Sequence, residues 1–178
     1  RKLRYETEGI FLNGEKAPFR YCTSDEAEAA DLVILATKNH HLAEAIRLMK
    51  SSVGPDTTIL SLLNGIESEQ LLASEFGQEK VLYSFAVGLN STHTGNTITY
   101  TKEGKIVLGE QDNQYSERLQ KICTLFEKAG ITYTVPEDIH LEQWNKFMLN
   151  TTYNTLSSLL GASYGDLDQE PIWMLAQQ

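Results

Sequence analysis

Basic residues are scarce and scattered. The chain carries 15 Lys and Arg against 24 Asp and Glu, a formal charge of −9, and its one dense basic run is "RKLR" at positions 1–4. Nucleic acid is therefore a poor partner, because a phosphate backbone needs clustered cations. Cysteine is nearly absent. Cys22 and Cys123 stand far apart with neither metal nor redox spacing, which offers no disulfide framework and fits a reducing, cytoplasmic setting. No apolar run approaches about 20 residues, so no membrane span is expected, and the start does not read as a signal peptide. Repeats and low-complexity segments are missing. So are the phosphate-cradling glycine loops G-x-G-x-x-G and G-x-x-x-x-G-K. His40, His41 and Glu44 have no recognised ligand spacing and no third cluster, so no metal is expected.

What remains is a chain of 178 residues, 41% of them hydrophobic, enough for one domain or one domain plus part of another. "DLVILAT" (31–37) and "TTILSLL" (57–63) read as strands, the first as a continuous run of the sort buried on both faces of a parallel sheet. Between them Leu42, Ile46 and Met49 fall at helical spacing before Gly54 and Pro55, so the stretch predicts a βαβ unit. "ESEQLLASEFG" (67–77) predicts a helix and "VLYSFAVGL" (81–89) a third buried strand. Residues 95–110 predict a hairpin turning at Glu103–Gly104. Residues 114–130 predict an amphipathic helix with Leu119, Ile122, Leu125 and Phe126 inward and Gly130 at its end. "ITYTV" (131–135) predicts one more strand. Pro136 then marks an expected domain boundary: α/β over 1–136, all helix over 137–178.

The helix predicted from about 138 to 161 places Glu142, Lys146, Asn150 and Asn154 four residues apart, on one face. Trp144, Phe147, Met148 and Leu159 fall on the other side, and residues 147–165 contain no Asp, Glu, Lys, Arg or His. Such a segment is expected to be buried on most faces, its polar stripe lining a cleft or another chain. Buried amides need partners, since an unsatisfied one costs about 1–3 kcal/mol, and a bound substrate could serve. The residues equally allow a plain surface ion pair between Glu142 and Lys146, with the asparagines capping loops.

Asn64–Gly65 follows the strand 57–63 directly, and Lys38 follows 31–37. Open α/β sheets bind ligands beyond the carboxyl ends of their strands. Asn64 could thus meet a ligand or simply make a turn, and Lys38 could meet a phosphate or ribose or simply be solvated. The stretch 84–95 reads either as a loop facing a ligand or as a plain turn.

Taken together, these motifs resemble ketopantoate reductase (2-dehydropantoate 2-reductase). "DLVILATK" resembles that family's strand ending in a cofactor-contacting lysine, at Lys38. "LLNGIES" resembles its Asn-Gly turn, at Asn64, and "GKIVLGE" its strand before an amphipathic helix. "WNKFMLNTTYN" resembles its W-x-K-x-x-x-N-x-x-x-N helix. The resemblance implies a Rossmann-like dinucleotide-binding domain followed by the start of an all-helical domain of the 6-phosphogluconate dehydrogenase C-terminal-like kind. It implies NADP as cofactor, a small-molecule keto acid as substrate, pantothenate biosynthesis as setting, and an assembly that includes a homodimer among its options. It also implies that Lys146 is catalytic, that Asn150, Asn154 and Asn64 bind substrate, and that Lys38 and Asn64 contact the cofactor. Thr155 stands where the family usually has Pro. The family's N-terminal Gly-rich βαβ part and most of its helical domain have no counterpart here, so the chain is expected to be an interior piece of a longer enzyme. Two rivals remain: an opine or glycerol-3-phosphate type of dehydrogenase, or another acting on a 2-keto acid; and a non-catalytic binding or dimerisation module.

Overall fold

The β-branched runs pair into two sheets. The structure, a computed structural model, describes residues 2–162 and Asp166; the rest of the 137–178 helical expectation lies outside them. The larger sheet contains β3 (Ala30–Leu35), β4 (Val53–Ser61), β5 (Val81–Val87), β8 (Lys105–Gly109) and β9 (Tyr133–Thr134), in that spatial order. β3, β4 and β5 run parallel, β8 lies antiparallel to β5, and β9 is parallel to β8. The smaller sheet, in the order β2-β1-β7-β6, contains β1 (Phe11–Leu12), β2 (Glu15–Lys16), β6 (Asn90–Thr94) and β7 (Thr97–Lys102). It is preceded by α1 (Lys2–Glu8).

Successive residues of the central strands point to opposite faces. Ile59 and Val81 face α2 (Leu42–Leu48) and α3 (Ser68–Phe76), packing with Leu42, Met49 and Leu72. Leu60, Leu82 and Leu108 face α4 (Glu117–Ala129), against Leu119, Ile122, Cys123 and Phe126. Those four α4 residues follow the i, i+3, i+4, i+7 stripe. Leu125 falls off that stripe and is exposed, contrary to the inward position expected for it, while Cys123 packs inside. Ser116 caps α4 by accepting from the Leu119 amide at 3.1 Å, and Gly130 ends it in the left-handed conformation.

Further expectations need correction. The strand at 31–37 is not buried on both faces. Among the described residues it sits at the end of the sheet with β4 as its one neighbour, and Ile34 is 44% exposed. The predicted hairpin at Glu103–Gly104 also fails. β5 and β6 run against β8 and β7 as one long antiparallel ribbon, with Val87 opposite Lys105 and Asn90 opposite Lys102. Its tip is Gly95–Asn96, between the paired Thr94 and Thr97. At Gly88 and Gly104, both with positive φ, the ribbon leaves one sheet for the other. The glycine at 104 marks this bend, which in sequence reads like a turn, and residues 90–94 are strand rather than loop.

The last correction concerns α5 (Ile139–Leu160). Asp138 caps it, accepting from the His140 and Leu141 amides at 3.0 Å each. Asn113 Oδ1 accepts from the Ile139 amide at 3.0 Å. Ile139 is fully buried and packs on Gly109, where an added Cβ would lie 3.1 Å from the Ile139 Cβ; the glycine of "GKIVLGE" admits the helix. The Glu110 that follows pairs with Arg118 and accepts from Ser116. Beyond its first turns α5 is not buried on most faces. Its buried residues are Ile139 and Gln143, whereas Trp144 (50%), Met148 (62%) and Leu149 are exposed. The absence of charge does not bury a helix unless another element reaches it, and among the described residues α5 meets chiefly β5 and β8. No described helix is long and apolar enough to cross a membrane.

The bend can be tested directly. A Cβ at Gly104 would lie 2.4 Å from Val87 O and 2.9 Å from Leu89 N, whereas one at Gly95 meets nothing within 4 Å. Gly104→Ala is expected to destabilise by about 2–3 kcal/mol and Gly95→Ala by about 1 kcal/mol, read as shifts of the urea midpoint. Equal losses would remove the close approach as the reason for the glycine.

Candidate active site

The carboxyl end of β4, the bend in the ribbon and α5 from Glu142 to Asn154 converge on a cavity of about 710 Å³. β5 contributes Phe85 and Val87 from one face, β8 contributes Lys105 and Val107, and α5 contributes Glu142, Lys146, Leu149, Asn150 and Asn154. Asn64 closes one side from the turn after β4. The register explains the strand lining: Phe85 lies opposite Val107 and Val87 opposite Lys105, so all four side chains rise from the same face.

Lys146 lines this cavity beside Asn64 and Phe85. Its ammonium donates to Asn64 Oδ1 at 3.1 Å and lies 5.2 Å from the Phe85 ring centroid. The side chain is half-buried, and burial lowers its pKa from the usual lysine value, opposed by the negative charge of Glu69. A hydrogen bond from a charged donor is worth about 1.5–3 kcal/mol and a partly solvated cation–π contact about 0.5–1 kcal/mol. The Asn64 bond is therefore the stronger constraint on where the amine points. No ion pair joins Lys146 to Glu142 among the described residues, so the plain surface pair is not what forms. Lys105, the second cation of the cavity, donates to Thr134 Oγ1 at 3.1 Å.

A second cavity, of about 1050 Å³, lies beyond the carboxyl ends of β3 and β4. Lys38 lines it with Ala36, Thr37, Leu62 and Leu63, and so does Asn64. Asn64 therefore belongs to both cavities, whereas Lys38 is exposed and touches only the second. The four residues expected around a substrate, Lys146, Asn150, Asn154 and Asn64, share the first cavity. His41 and Glu44 line the second cavity, with His41 Nδ1 3.9 Å from Glu44 Oε2. Among the described residues no group of three or more His, Cys, Asp or Glu is arranged to hold a metal.

A buried polar cluster beneath α5 has no signature in the sequence. Glu69, in the first turn of α3, is 1% exposed. Its Oε1 accepts from Gln143 Nε2 at 2.9 Å, and its Oε2 accepts from Ser68 Oγ at 2.9 Å. Ser68 in turn accepts from Ser61 Oγ at 2.7 Å, and Ser84 Oγ donates to Ser61 O at 2.9 Å. Burial raises the Glu69 pKa, and the bonds from Ser68 and Gln143 offset part of that rise. "ESEQLL" reads as the polar start of a surface helix. Gln143, on the same side of α5 as Lys146 and Asn150 but buried, is the partner that reaches Glu69 from 74 positions away.

Residues 2–113 match the family model described as Ketopantoate reductase PanE/ApbA, and the chain belongs to that family. It is 26% identical over 171 residues to the 2-dehydropantoate 2-reductase of Aquifex aeolicus, covering 94% of this chain and 55% of the relative. It is 31% identical over 145 residues to that of Nostoc sp., covering 77% and 44%. The chain thus spans about half the length of the curated relatives it matches. In fold it is similar to a D-mandelate dehydrogenase solved with NADH and anilino(oxo)acetate, at 21% identity and a TM-score of 0.86, covering 98% of this chain and 59% of that one.

The electrostatics of the site predict a measurable difference among lysines. Competitive acylation followed by peptide mass mapping is expected to find Lys146 titrating below the exposed Lys121, whose pKa the neighbouring Glu117 raises. Identical titration of the two would mean that the amine is not held in a partly dry site.

Proposed function

We propose that the chain forms the substrate-facing part of a nicotinamide-dependent 2-keto acid reductase, and that the intact enzyme reduces 2-dehydropantoate to pantoate with NADPH in pantothenate and coenzyme A biosynthesis. The observation that carries this reading is the half-buried Lys146 amine. It is held on Asn64 Oδ1 and faces a cavity shared with two further side-chain amides, Asn150 and Asn154. The reading divides the chain near Pro136, into a partial dinucleotide-binding unit (1–136) and the beginning of a helical substrate and dimerisation unit (137–178).

The chemistry follows from the residues. An ammonium at this position donates a hydrogen bond to a ketone oxygen, stabilises the charge that grows there and then gives that oxygen a proton. Its lowered pKa suits the second task, because a proton donor works best near the ambient pH. Asn150 and Asn154 supply amide donors and acceptors for the substrate's carboxylate and hydroxyl groups. Asn64 stands between the two cavities and orients both the amine and whatever occupies the second cavity.

The second cavity has the character a dinucleotide needs. It lies beyond the carboxyl ends of parallel strands, where open α/β sheets bind such ligands, and it offers the Lys38 cation and the Asn64 amide. When bound there, the dinucleotide supplies the hydride for the ketone carbon. NADPH rather than NADH is part of this reading through the family resemblance alone. A second reading, reduction of a different branched or aromatic 2-keto acid, is favoured by the apolar wall of Phe85, Val87, Leu89 and Leu149, and it uses the same residues.

In the full-length enzyme, Lys146→Ala is expected to cut kcat by about 10²–10⁴-fold while leaving the circular dichroism and the melting midpoint close to wild type. NADPH consumption with 2-dehydropantoate and a panel of aromatic and branched keto acids is the assay. Turnover within a few-fold of wild type would end the assignment.

A further inference from the structure

Resting on the reading just given, we propose that Glu69 is the positioning residue of this site: a buried anion that ties α5 to the Asn64 turn through Gln143 and faces the Lys146 ammonium from behind. Two observations carry it. The first is covalent economy along the chain. Glu69 lies five residues after Asn64 and Gln143 three residues before Lys146, so the Glu69–Gln143 bond and the Asn64–Lys146 bond join the same two segments, one beneath the cavity and one within it. Two bonds between two rigid elements fix rotation as well as separation, and one bond does not. The second is burial. Glu69 is 1% exposed and Gln143 4% exposed, and a carboxylate at such depth, with its acceptors filled by Ser68 and Gln143, is costly unless a cation offsets it.

The groups facing this pair identify that cation. Burial raises the pKa of Tyr83 on β5, with a smaller contribution from the charge of Glu69, and its ring meets His140 of α5 edgewise with centroids 4.6 Å apart. Glu142 of α5 and Lys105 of β8 line the same cavity as Lys146. Lys105 is committed to Thr134 and Glu142 makes no ion pair with Lys146 among the described residues. Phe85 contributes only its ring and Asn64 only its amide. Lys146 is the cation whose charge Glu69 supports. Desolvation pushes the amine toward its neutral form, and the carboxylate opposes it. The carboxylate thus favours the ammonium form of an amine that burial pushes toward neutrality.

The experiment uses the full-length enzyme and two independent readouts: the pH midpoint of Lys146 acylation, and kcat against pH with NADPH and the best keto acid. Glu69→Gln removes the charge. It is expected to move the acylation midpoint, and the alkaline limb of kcat, about one unit to lower pH and to lower kcat about tenfold. Gln143→Met removes the tie but leaves the charge. It is expected to lower kcat by a similar factor with the acylation midpoint unmoved. Glu69→Asp, which keeps the charge but shortens its reach, is expected to keep the midpoint and lose kcat. It carries the charge test should Glu69→Gln fail to melt cooperatively. An unmoved midpoint in Glu69→Gln, a midpoint shifted in Glu69→Asp, or wild-type kcat in Gln143→Met overturns the proposal. Absence of turnover with every keto acid would instead overturn the reductase reading, and the acylation midpoints would still decide the role of Glu69.

Discussion

The site depends on where α5 enters the sheet. Ile139 sits on Gly109 because that residue has no Cβ to hold the helix away, and Asp138 and Asn113 cap or anchor the helix at that point. From there each residue rises about 1.5 Å along the axis, so Gln143 arrives over Glu69 and Lys146 over Phe85. A helix started elsewhere would carry the same sequence past the cavity. The placement of one amine thus rests on a glycine in β8, far from the chemistry.

The burial of the amine is a compromise. A fully buried lysine would lose its charge, and a fully exposed one would keep it without being directed at anything. Here the apolar floor of Phe85 and Val107 and the turn at Asn64 remove part of the water, while a carboxylate on the far side restores part of the preference for the ammonium. The exposed side of α5, with Trp144 and Met148 outward, plays no part in this balance.

Much of the fold was legible because the pattern and the tertiary context agree. β4 and β5 are central strands and read as continuous apolar runs; α4 shows its period and both its caps. The errors fall where tertiary context overrides a local signal. Gly104 looked like a hairpin turn because turns and bends both need positive φ, and sequence does not say which of the two follows. β3 looked like a central strand because its composition does not reveal how many neighbours it has. Within the site, the Lys146, Asn150 and Asn154 face was legible from spacing, and Asn64 from its place after a strand. Glu69 was not, because the Gln143 that meets its carboxylate comes from 74 positions away.

That last failure bears on how the site works. A polar stripe visible in the sequence is the part that faces a ligand, and its residue types are set by what the ligand offers. The polar groups that hold the stripe in place must match one another, and they do so across 74 positions of chain between Glu69 and Gln143. Substituting either one leaves the motif "WNKFMLN" intact to the eye while releasing the helix that presents it. On the proposed reading, two chains with the same visible motif would then differ in turnover according to whether this hidden pair is complete.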